Sequence, residues 1–133
     1  MGLTRAQSSL SAEVEDLIHS CIGAFITVHR ELSCGMGERV YALASQVELN
    51  ERGISFESEK VIPVRYRGKF LCHQRVDLLI ENSLVVELKA VESLLEVHRA
   101  QLVTYMRLCH VRAGLLINFN VPVLKQGIKR FVL

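Results

Sequence analysis

Residues 76–91, VDLLIENSLVVELKAV, read as two apolar strands joined by a polar turn over residues 81–83. Alternating or continuous runs of Val, Ile and Leu on either side of such a turn are typical of a β-hairpin. Three charged residues nevertheless lie inside the apolar runs: Asp77, Glu87 and Lys89. A buried charge is costly unless it is paired or binds a metal. The stretch therefore predicts a hairpin that carries a charged site.

The alternation of side chains along a strand places Glu87 and Lys89 on the same face, roughly 6–7 Å apart. If the hairpin pairs through residues 81–83, Asp77 lies close to Glu87 on the neighbouring strand. Two carboxylates at close range repel each other, and a hard divalent cation such as Mg²⁺ or Mn²⁺ removes that penalty. With a lysine to orient a water, this arrangement is chemically suited to phosphodiester hydrolysis.

The same residues also allow a purely structural interpretation. Glu87 and Lys89 could form an exposed ion pair on the solvent face of a half-covered sheet. Asp77 could cap a turn or pair with Arg75. The pattern D…E-x-K is short, and the choice between these interpretations depends on other parts of the chain.

Outward from the hairpin, helical and strand patterns alternate along the chain. Three segments have helical periodicity and five have strand character, in the order α-α-β-β-β-α-β-(β). Tight turns predict that the first three strands are antiparallel, and the third helix is long enough to return the chain as a parallel neighbour. We therefore expect an α/β fold with a mixed sheet flanked by helices. The predicted helices cover residues 11–32, 38–51 and 93–109, and the predicted strands cover residues 54–66, 70–80, 84–90, 112–120 and 128–133.

Length and composition favour one domain, over residues 11–133, after a loose leader at residues 1–10. Half of the residues are hydrophobic and the net charge is only +2, which neither requires nor excludes a nucleic-acid partner. The apolar runs are too short for a membrane helix, and the leader lacks a signal peptide's apolar core. We expect a cytoplasmic protein. Its four cysteines, without a C-x-x-C pair, are expected to be small core residues: Cys21, Cys34, Cys72 and Cys109.

Two pairs of polar residues lie on helix faces that could border the charged site. Glu38 and Tyr41 are three apart on the second helix, and Gln101 and Tyr105 are four apart on the third. Each also has a structural explanation, because Glu38 is favoured by the helix dipole and Tyr105 could simply pack in the core.

Basic residues surround the first predicted hairpin, at Arg65, Arg67, Lys69 and Arg75. They could contact a nucleic-acid backbone, or they could be a solvated hairpin tip. A second basic group is formed by Lys125, Lys129 and Arg130. A domain of this size shows no obvious extra arm for gripping a duplex, so a homodimer or a larger assembly is a plausible form.

Residues 35–41, GMGERVY, read G-x-x-E-x-x-Y. This motif and two later stretches of the sequence resemble the GxxExxY protein family, which is placed in the PD-(D/E)XK nuclease superfamily. The two stretches are RVDLLIENSLVVELKAVESLLEVHRAQLVTYMRL and GLLINFNVPVLKQGIKR. The resemblance covers residues 12–131. It implies a restriction-endonuclease-like fold, whose α-β-β-β-α-β core agrees with the predicted order of elements.

The resemblance also implies roles by position. Asp77 and Glu87 would hold the metal, with the main-chain carbonyl of Leu88 as a further ligand, and Lys89 would be the catalytic lysine. Glu38 would be the acidic residue that this superfamily often supplies from its first core helix.

Gln101 and Tyr105 look like the Q-x-x-x-Y motif of the RecB-like branch, which lies near the metal and the nucleic acid. The chain departs from the family pattern at Val76, where a proline is common, and it lacks the cysteine cluster of some RecB-like relatives. The implied function is Mg²⁺-dependent hydrolysis of nucleic acid, DNA in preference to RNA, with Mn²⁺ as another possible ion. The alternatives are a non-catalytic module of the same fold that binds nucleic acid or protein, and a domain that binds metal only for stability.

Overall fold

A computed structural model describes residues 10–133, and in this part of the chain three helices flank one five-stranded sheet. The predicted order of elements is confirmed. The predicted leader at residues 1–10 lies outside the described residues except for Leu10, which is partly buried against the core. The elements are α1 (Ala12–Leu32), α2 (Glu38–Glu51), β1 (Phe56–Tyr66), β2 (Lys69–Ile80), β3 (Leu84–Lys89), α3 (Glu96–Leu108), β4 (Ala113–Asn118), a 3₁₀ turn (Leu124–Gly127) and β5 (Ile128–Val132).

The sheet has the strand order β1-β2-β3-β4-β5. The pairs β1–β2, β2–β3 and β4–β5 are antiparallel, and β3–β4 is parallel. The predicted strand directions are therefore confirmed. The parallel pair is possible because α3 carries the chain back across the sheet between β3 and β4. Pro63, which has no N–H to donate, lies on β1 at the edge of the sheet.

Apolar side chains are buried on both faces of the sheet. One cluster lies between the sheet and α1 and α2, and includes Phe25, Leu78 and Leu88. The second lies under α3 and includes Val85 and Leu102. The two clusters fix which sheet face each polar residue of the hairpin can occupy, because strand side chains alternate between the faces.

Gly114 shows how closely α3 approaches the sheet. A Cβ atom at this position would lie 2.5 Å from the sulfur of Met106. A larger residue at this point of β4 would require the Met106 side chain to shift.

The hairpin of β1 and β2 extends well beyond the rest of the sheet. The strand β2 is paired with β1 along nearly its whole length, but with β3 only from Leu78 to Ile80. Residues 60–76 therefore form a two-stranded ribbon, which we call the arm. The expectation that the domain has no extra arm is wrong, since strand lengths in a sequence do not show where the third strand stops pairing.

The prediction that all four cysteines are core residues is also wrong. Cys21 is buried in α1 and Cys109 is partly buried, but Cys34 and Cys72 are exposed. Cys34 lies in the loop between α1 and α2, and Cys72 lies on the arm. Within the described residues, no helix is long and apolar enough to cross a membrane.

Candidate metal-binding and catalytic site

The charged residues of the hairpin meet where β2 and β3 separate. The ladder between these strands ends at the pair Leu78 and Val86. Beyond it, the backbone N–H of Asp77 donates to Glu87 Oε2 at 2.8 Å, and the backbone N–H of Leu88 donates to Asp77 Oδ2 at 2.8 Å. Each carboxylate thus accepts a main-chain hydrogen bond from the opposite strand. The predicted proximity of Asp77 and Glu87 is confirmed.

This geometry does not contain the two ion pairs that the structural interpretation suggested. Glu87 is only 4 % exposed, so it is not on a solvent face. Among the described residues, neither Glu87 with Lys89 nor Asp77 with Arg75 forms an ion pair within 4.0 Å. The two carboxylates are held together by the backbone and not by cations.

The ionised form of both carboxyl groups is disfavoured. The pKa of Glu87 is raised to about 8, first by burial and then by the nearby Asp77 carboxylate. Burial also raises the pKa of Asp77, and the carboxylate of Glu38 raises it further. The Lys89 ammonium lowers both pKa values without cancelling the cost of burial. The site is therefore short of positive charge.

The donor set fits a hard divalent cation. One oxygen of each carboxylate is fixed by a main-chain N–H, and within residues 10–133 the second oxygens, Asp77 Oδ1 and Glu87 Oε1, accept no hydrogen bond. Rigid, anionic oxygen atoms of this kind suit Mg²⁺ or Mn²⁺. In the described part of the chain no third His, Cys, Asp or Glu side chain completes a three-membered cluster that could hold a metal. A cation here would complete its shell with main-chain oxygen or water, and a direct bond from Glu38 stays a prediction.

The end of β3 that carries Lys89 is fastened to β4. The carbonyl of Lys89 accepts the N–H of Phe119 at 2.8 Å. Asn118, buried at the end of β4, bonds both main-chain groups of Val91, at 3.0 Å and 2.9 Å. Asn118 therefore holds the segment that follows β3.

The Q-x-x-x-Y pair lies on α3 beside the carboxylates. Gln101 Nε2 donates to the Tyr105 hydroxyl at 3.0 Å, and this hydroxyl donates to Gln74 Oε1 at 3.2 Å. Tyr105 is buried, which raises its pKa, and the carboxylates of Glu87 and Asp77 raise it further. Tyr105 therefore remains protonated next to the carboxylate pair.

Sequence reasoning missed Gln74, the acceptor of the Tyr105 hydroxyl. Strict alternation from Asp77 would place a residue three positions earlier on the opposite face. Val76 and Leu79 are also three apart, yet both belong to the cluster under α3. The alternation is therefore interrupted at Asp77, which returns Gln74 to the face of α3.

Glu59 was missed as well. It lies on β1 opposite Asp77, between the paired residues Ser58 with Leu78 and Lys60 with Val76, and its φ of 49° is unusual for a strand. Its carboxylate raises the pKa of Asp77. The turn alone would place Glu59 opposite Val76, and the one-residue register shift between Val64 and Arg65 moves it opposite Asp77, so the sequence carried no clear signal for this contact.

The tyrosine of the G-x-x-E-x-x-Y motif has a structural role. Tyr41 is fully buried and stacks on Phe119 with 4.4 Å between ring centroids. Its hydroxyl donates to the carbonyl of Ser33 and accepts the N–H of Met36 at 3.2 Å. The motif thus ties the loop between α1 and α2 to the core, and this loop leads into Glu38 at the first position of α2.

His29 and His98 both make hydrogen-bonding contacts with main-chain groups of the fold. His29 Nε2 lies 2.8 Å from the carbonyl oxygen of Val121. His98 Nδ1 accepts the N–H of Leu95 at 3.0 Å, which satisfies a free donor at the start of α3.

The predicted basic groups have different surroundings. Arg65, Arg67, Lys69 and Arg75 are all exposed on the arm. In the second group, Arg130 forms an ion pair with Glu15 at 2.6 Å, so at least this member has a structural partner.

Comparison with known proteins places these observations in context. A family model described as PD-(D/E)XK nuclease superfamily matches residues 15–131. No curated protein matches the chain. The protein whose solved structure is described as "Crystal structure of SSO0001" has a TM-score of 0.52 and 23 % identity, over 70 % of this chain and 47 % of that chain. This likeness shows a shared fold, and the chain spans about half the length of that protein.

Proposed function

The chain belongs to the PD-(D/E)XK nuclease superfamily, and from this premise we propose that it is a metal-dependent nuclease that hydrolyses phosphodiester bonds in nucleic acid. The α/β architecture, with three helices around a mixed five-stranded sheet, is that of a restriction-endonuclease-like domain. The observation that carries the proposal is the reciprocal main-chain hydrogen bonding of Asp77 and Glu87, which holds two carboxylates together without a cation partner.

The proposed cation ligands are Asp77, Glu87 and the main-chain carbonyl of Leu88, with Glu38 near enough to add negative charge. When bound, Mg²⁺ or Mn²⁺ supplies Lewis-acid activation of a water and neutralises charge on the scissile phosphate. The protein's own contribution is to fix the carboxylate oxygens in advance, so that little reorganisation is needed when the cation binds.

Lys89 is the proposed group that positions the attacking water, since its ammonium lies close enough to lower the pKa of both carboxyl groups. The Tyr105 hydroxyl donates a hydrogen bond to Gln74 and accepts one from Gln101, and these two bonds hold its ring in one orientation beside the carboxylates. Gln101 and Tyr105 are therefore proposed as supports for the site.

Within the superfamily, we propose that the chain belongs to the GxxExxY group. We also propose that DNA is its preferred substrate. The first assignment is supported by Gly35, whose φ of 107° needs a glycine, and by the contacts of Tyr41 described above. The exposed cations Arg65, Arg67, Lys69 and Arg75 are the proposed contacts to the nucleic-acid backbone.

The test is a cleavage assay with labelled single- and double-stranded DNA and RNA, in Mg²⁺, Mn²⁺ or chelator. We expect cleavage that requires the cation and falls at least about 100-fold in Lys89→Ala, the usual minimum for a lost proton-handling group. Lys129→Ala, on the opposite edge of the sheet, is the matched control and should cleave normally.

A second readout does not depend on turnover. Mg²⁺ should raise the melting temperature of the wild-type protein, because a ligand that binds only the folded state stabilises it. Asp77→Asn keeps an oxygen for the N–H of Leu88 and should lose the Mg²⁺ response. Cleavage that survives in chelator would overturn the metal dependence, and cleavage that survives in folded Lys89→Ala would overturn the role of Lys89. Nucleic-acid binding without any cleavage would overturn the nuclease proposal and show a non-catalytic module.

A further inference from the structure

The arm concentrates the positive charge of the protein. Residues 60–76 contain five Lys or Arg and no Asp or Glu, so the rest of the chain has a net charge of −3 within a total of +2. Lys60 pairs with Glu57 at 3.1 Å. Among the described residues, the other four cations of the arm, Arg65, Arg67, Lys69 and Arg75, have no carboxylate within 4.0 Å. The arm is therefore a free cationic surface.

Large apolar and aromatic side chains are exposed on the same arm. Tyr66 is 66 % exposed, Leu71 is 58 % exposed and Phe70 is 50 % exposed. The rings of Phe70 and His73 lie 4.9 Å apart, so they form a small platform. Exposed rings interleaved with cations are the combination that single-stranded nucleic acids bind.

The cross-strand pairs show which side of the arm carries this platform. Gln74 and its partner Ile62 face α3, because Gln74 contacts Tyr105 and Ile62 belongs to the cluster under that helix. The neighbouring residues His73 and Arg75 therefore face the other way. Phe70 joins them through its contact with His73 and pairs with Arg65 across the ribbon, so these four side chains share the face that points away from α3.

We propose that this face of the arm binds a single strand of nucleic acid, with phosphates on the cations and a base stacked on Phe70. The proposal rests on the nuclease function above and narrows its substrate class. A duplex offers only base edges in its grooves, whereas an exposed ring needs the face of an unstacked base.

The arm also leads to the carboxylate pair. Asp77 directly follows the arm on β2, eight residues after Lys69 at the tip, which corresponds to about 26 Å of strand. A single strand bound along the arm therefore approaches the level of Asp77, on the sheet face opposite to α3 and Tyr105.

The absence of tryptophan in the chain provides a direct test. Phe70→Trp places a single indole on the platform, and Val47→Trp places one at a 62 % exposed position on α2 as the matched control. In chelator, a single-stranded oligonucleotide should quench the fluorescence of Phe70→Trp, because a base stacks on the indole. The same oligonucleotide annealed to its complement should quench it far less, and Val47→Trp should respond to neither.

Affinity measured by fluorescence anisotropy gives the size of the effect. Phe70→Ala should weaken single-strand binding by roughly 5- to 150-fold, the range measured for the loss of one stacking ring, and Val47→Ala should not. Arg65→Ala should reduce the slope of log K against log salt by about 0.7 for one lost phosphate contact, whereas Lys129→Ala should leave it unchanged.

Three outcomes would overturn the proposal: tighter binding to the duplex than to the single strand, an unchanged affinity in Phe70→Ala, or binding of anionic phospholipid vesicles in place of the oligonucleotide. These outcomes are separate from those of the nuclease test, because binding is measured in chelator. Cleavage by the wild-type protein, together with an unchanged affinity in Phe70→Ala, would refute single-strand binding by the arm and leave the nuclease proposal standing. Single-strand binding that depends on Phe70, without cleavage in Mg²⁺, would support binding by the arm and refute the nuclease function.

Discussion

The strand β2 passes through two regions whose charged residues differ in their exposure to solvent. At the carboxylate pair, one oxygen of Asp77 and one of Glu87 are fixed by main-chain donors, and both groups resist ionisation. On the arm, Arg65 and its neighbours are exposed to solvent. Burial makes ionisation of the two carboxyl groups unfavourable, so a bound cation would stabilise their anionic form. The exposed cations of the arm remain hydrated at little cost and are free to bind an anion.

The change between the two regions occurs at one position. Asp77 interrupts the alternation of β2, faces Glu59 with its positive φ on β1, and marks the end of pairing with β3. On one side of Asp77 the strand belongs to the core, and on the other side it belongs to the arm. Three predictions, ordered by their expected effect on the free energy of unfolding, test this division.

The largest effect concerns pH. Glu87 has an ordinary pKa of 4.5 and a pKa of about 8 in the folded protein. The folded state therefore holds a proton that the unfolded state releases, so this contribution to stability is fully present below about pH 4.5 and is lost as the pH rises through 8. In chelator, we expect unfolding by urea to show a loss of a few kcal/mol across this window.

The matched variant for this prediction is Glu87→Gln, which removes the titration and keeps an oxygen to accept the N–H of Asp77. It should flatten the pH dependence and make the protein more stable than the wild type at pH 9. An identical pH profile in the two proteins would show that Glu87 is not held in the environment described here.

An intermediate effect distinguishes the two motif tyrosines. Tyr41→Phe leaves the N–H of Met36 and the carbonyl of Ser33 without their buried partner, and should lower the free energy of unfolding by about 1–3 kcal/mol. Tyr105→Phe should affect stability less and cleavage more, because its hydroxyl lies beside the carboxylates at the edge of the site. Urea unfolding and cleavage rates of both variants check this, and a reversed ranking would contradict the assignment of roles.

The smallest effect belongs to the tip of the arm. Arg67 has a φ of 52° and precedes Gly68, with a φ of 78°, in the two-residue turn. Asparagine adopts this conformation more readily than arginine. Arg67→Asn should therefore stabilise the protein by about 0.5 kcal/mol or less, the range of most surface substitutions. A loss of more than 1 kcal/mol, measured by urea unfolding, would show that the tip of the arm packs against something beyond its own two strands.

Much of the site could be predicted because it depends on short-range rules. The turn at residues 81–83 sets the register of β2 and β3, and that register places Asp77 next to Glu87. Helical spacing likewise placed Gln101 beside Tyr105. In each case a fixed repeat of the backbone converts positions in the chain into neighbours in space.

The missed features depend on departures from those repeats or on what covers a strand. Gln74 was missed because the alternation breaks at Asp77, and Cys72 was placed in the core although it is exposed on the arm. A pattern of apolar and polar residues does not report such breaks, because they arise from contacts between strands and helices that are far apart in the chain.

The sequence by itself determined the order and direction of the strands, the two carboxylates of the hairpin and the basic character of its tip, since these follow from local periodicity, turn chemistry and composition. Only the tertiary structure decided that the carboxylates are desolvated, that Gln74 joins Tyr105 and that residues 60–76 stand out as an arm. Burial and strand separation are set by the packing of α3 and the sheet as a whole, and no local stretch of sequence contains that information.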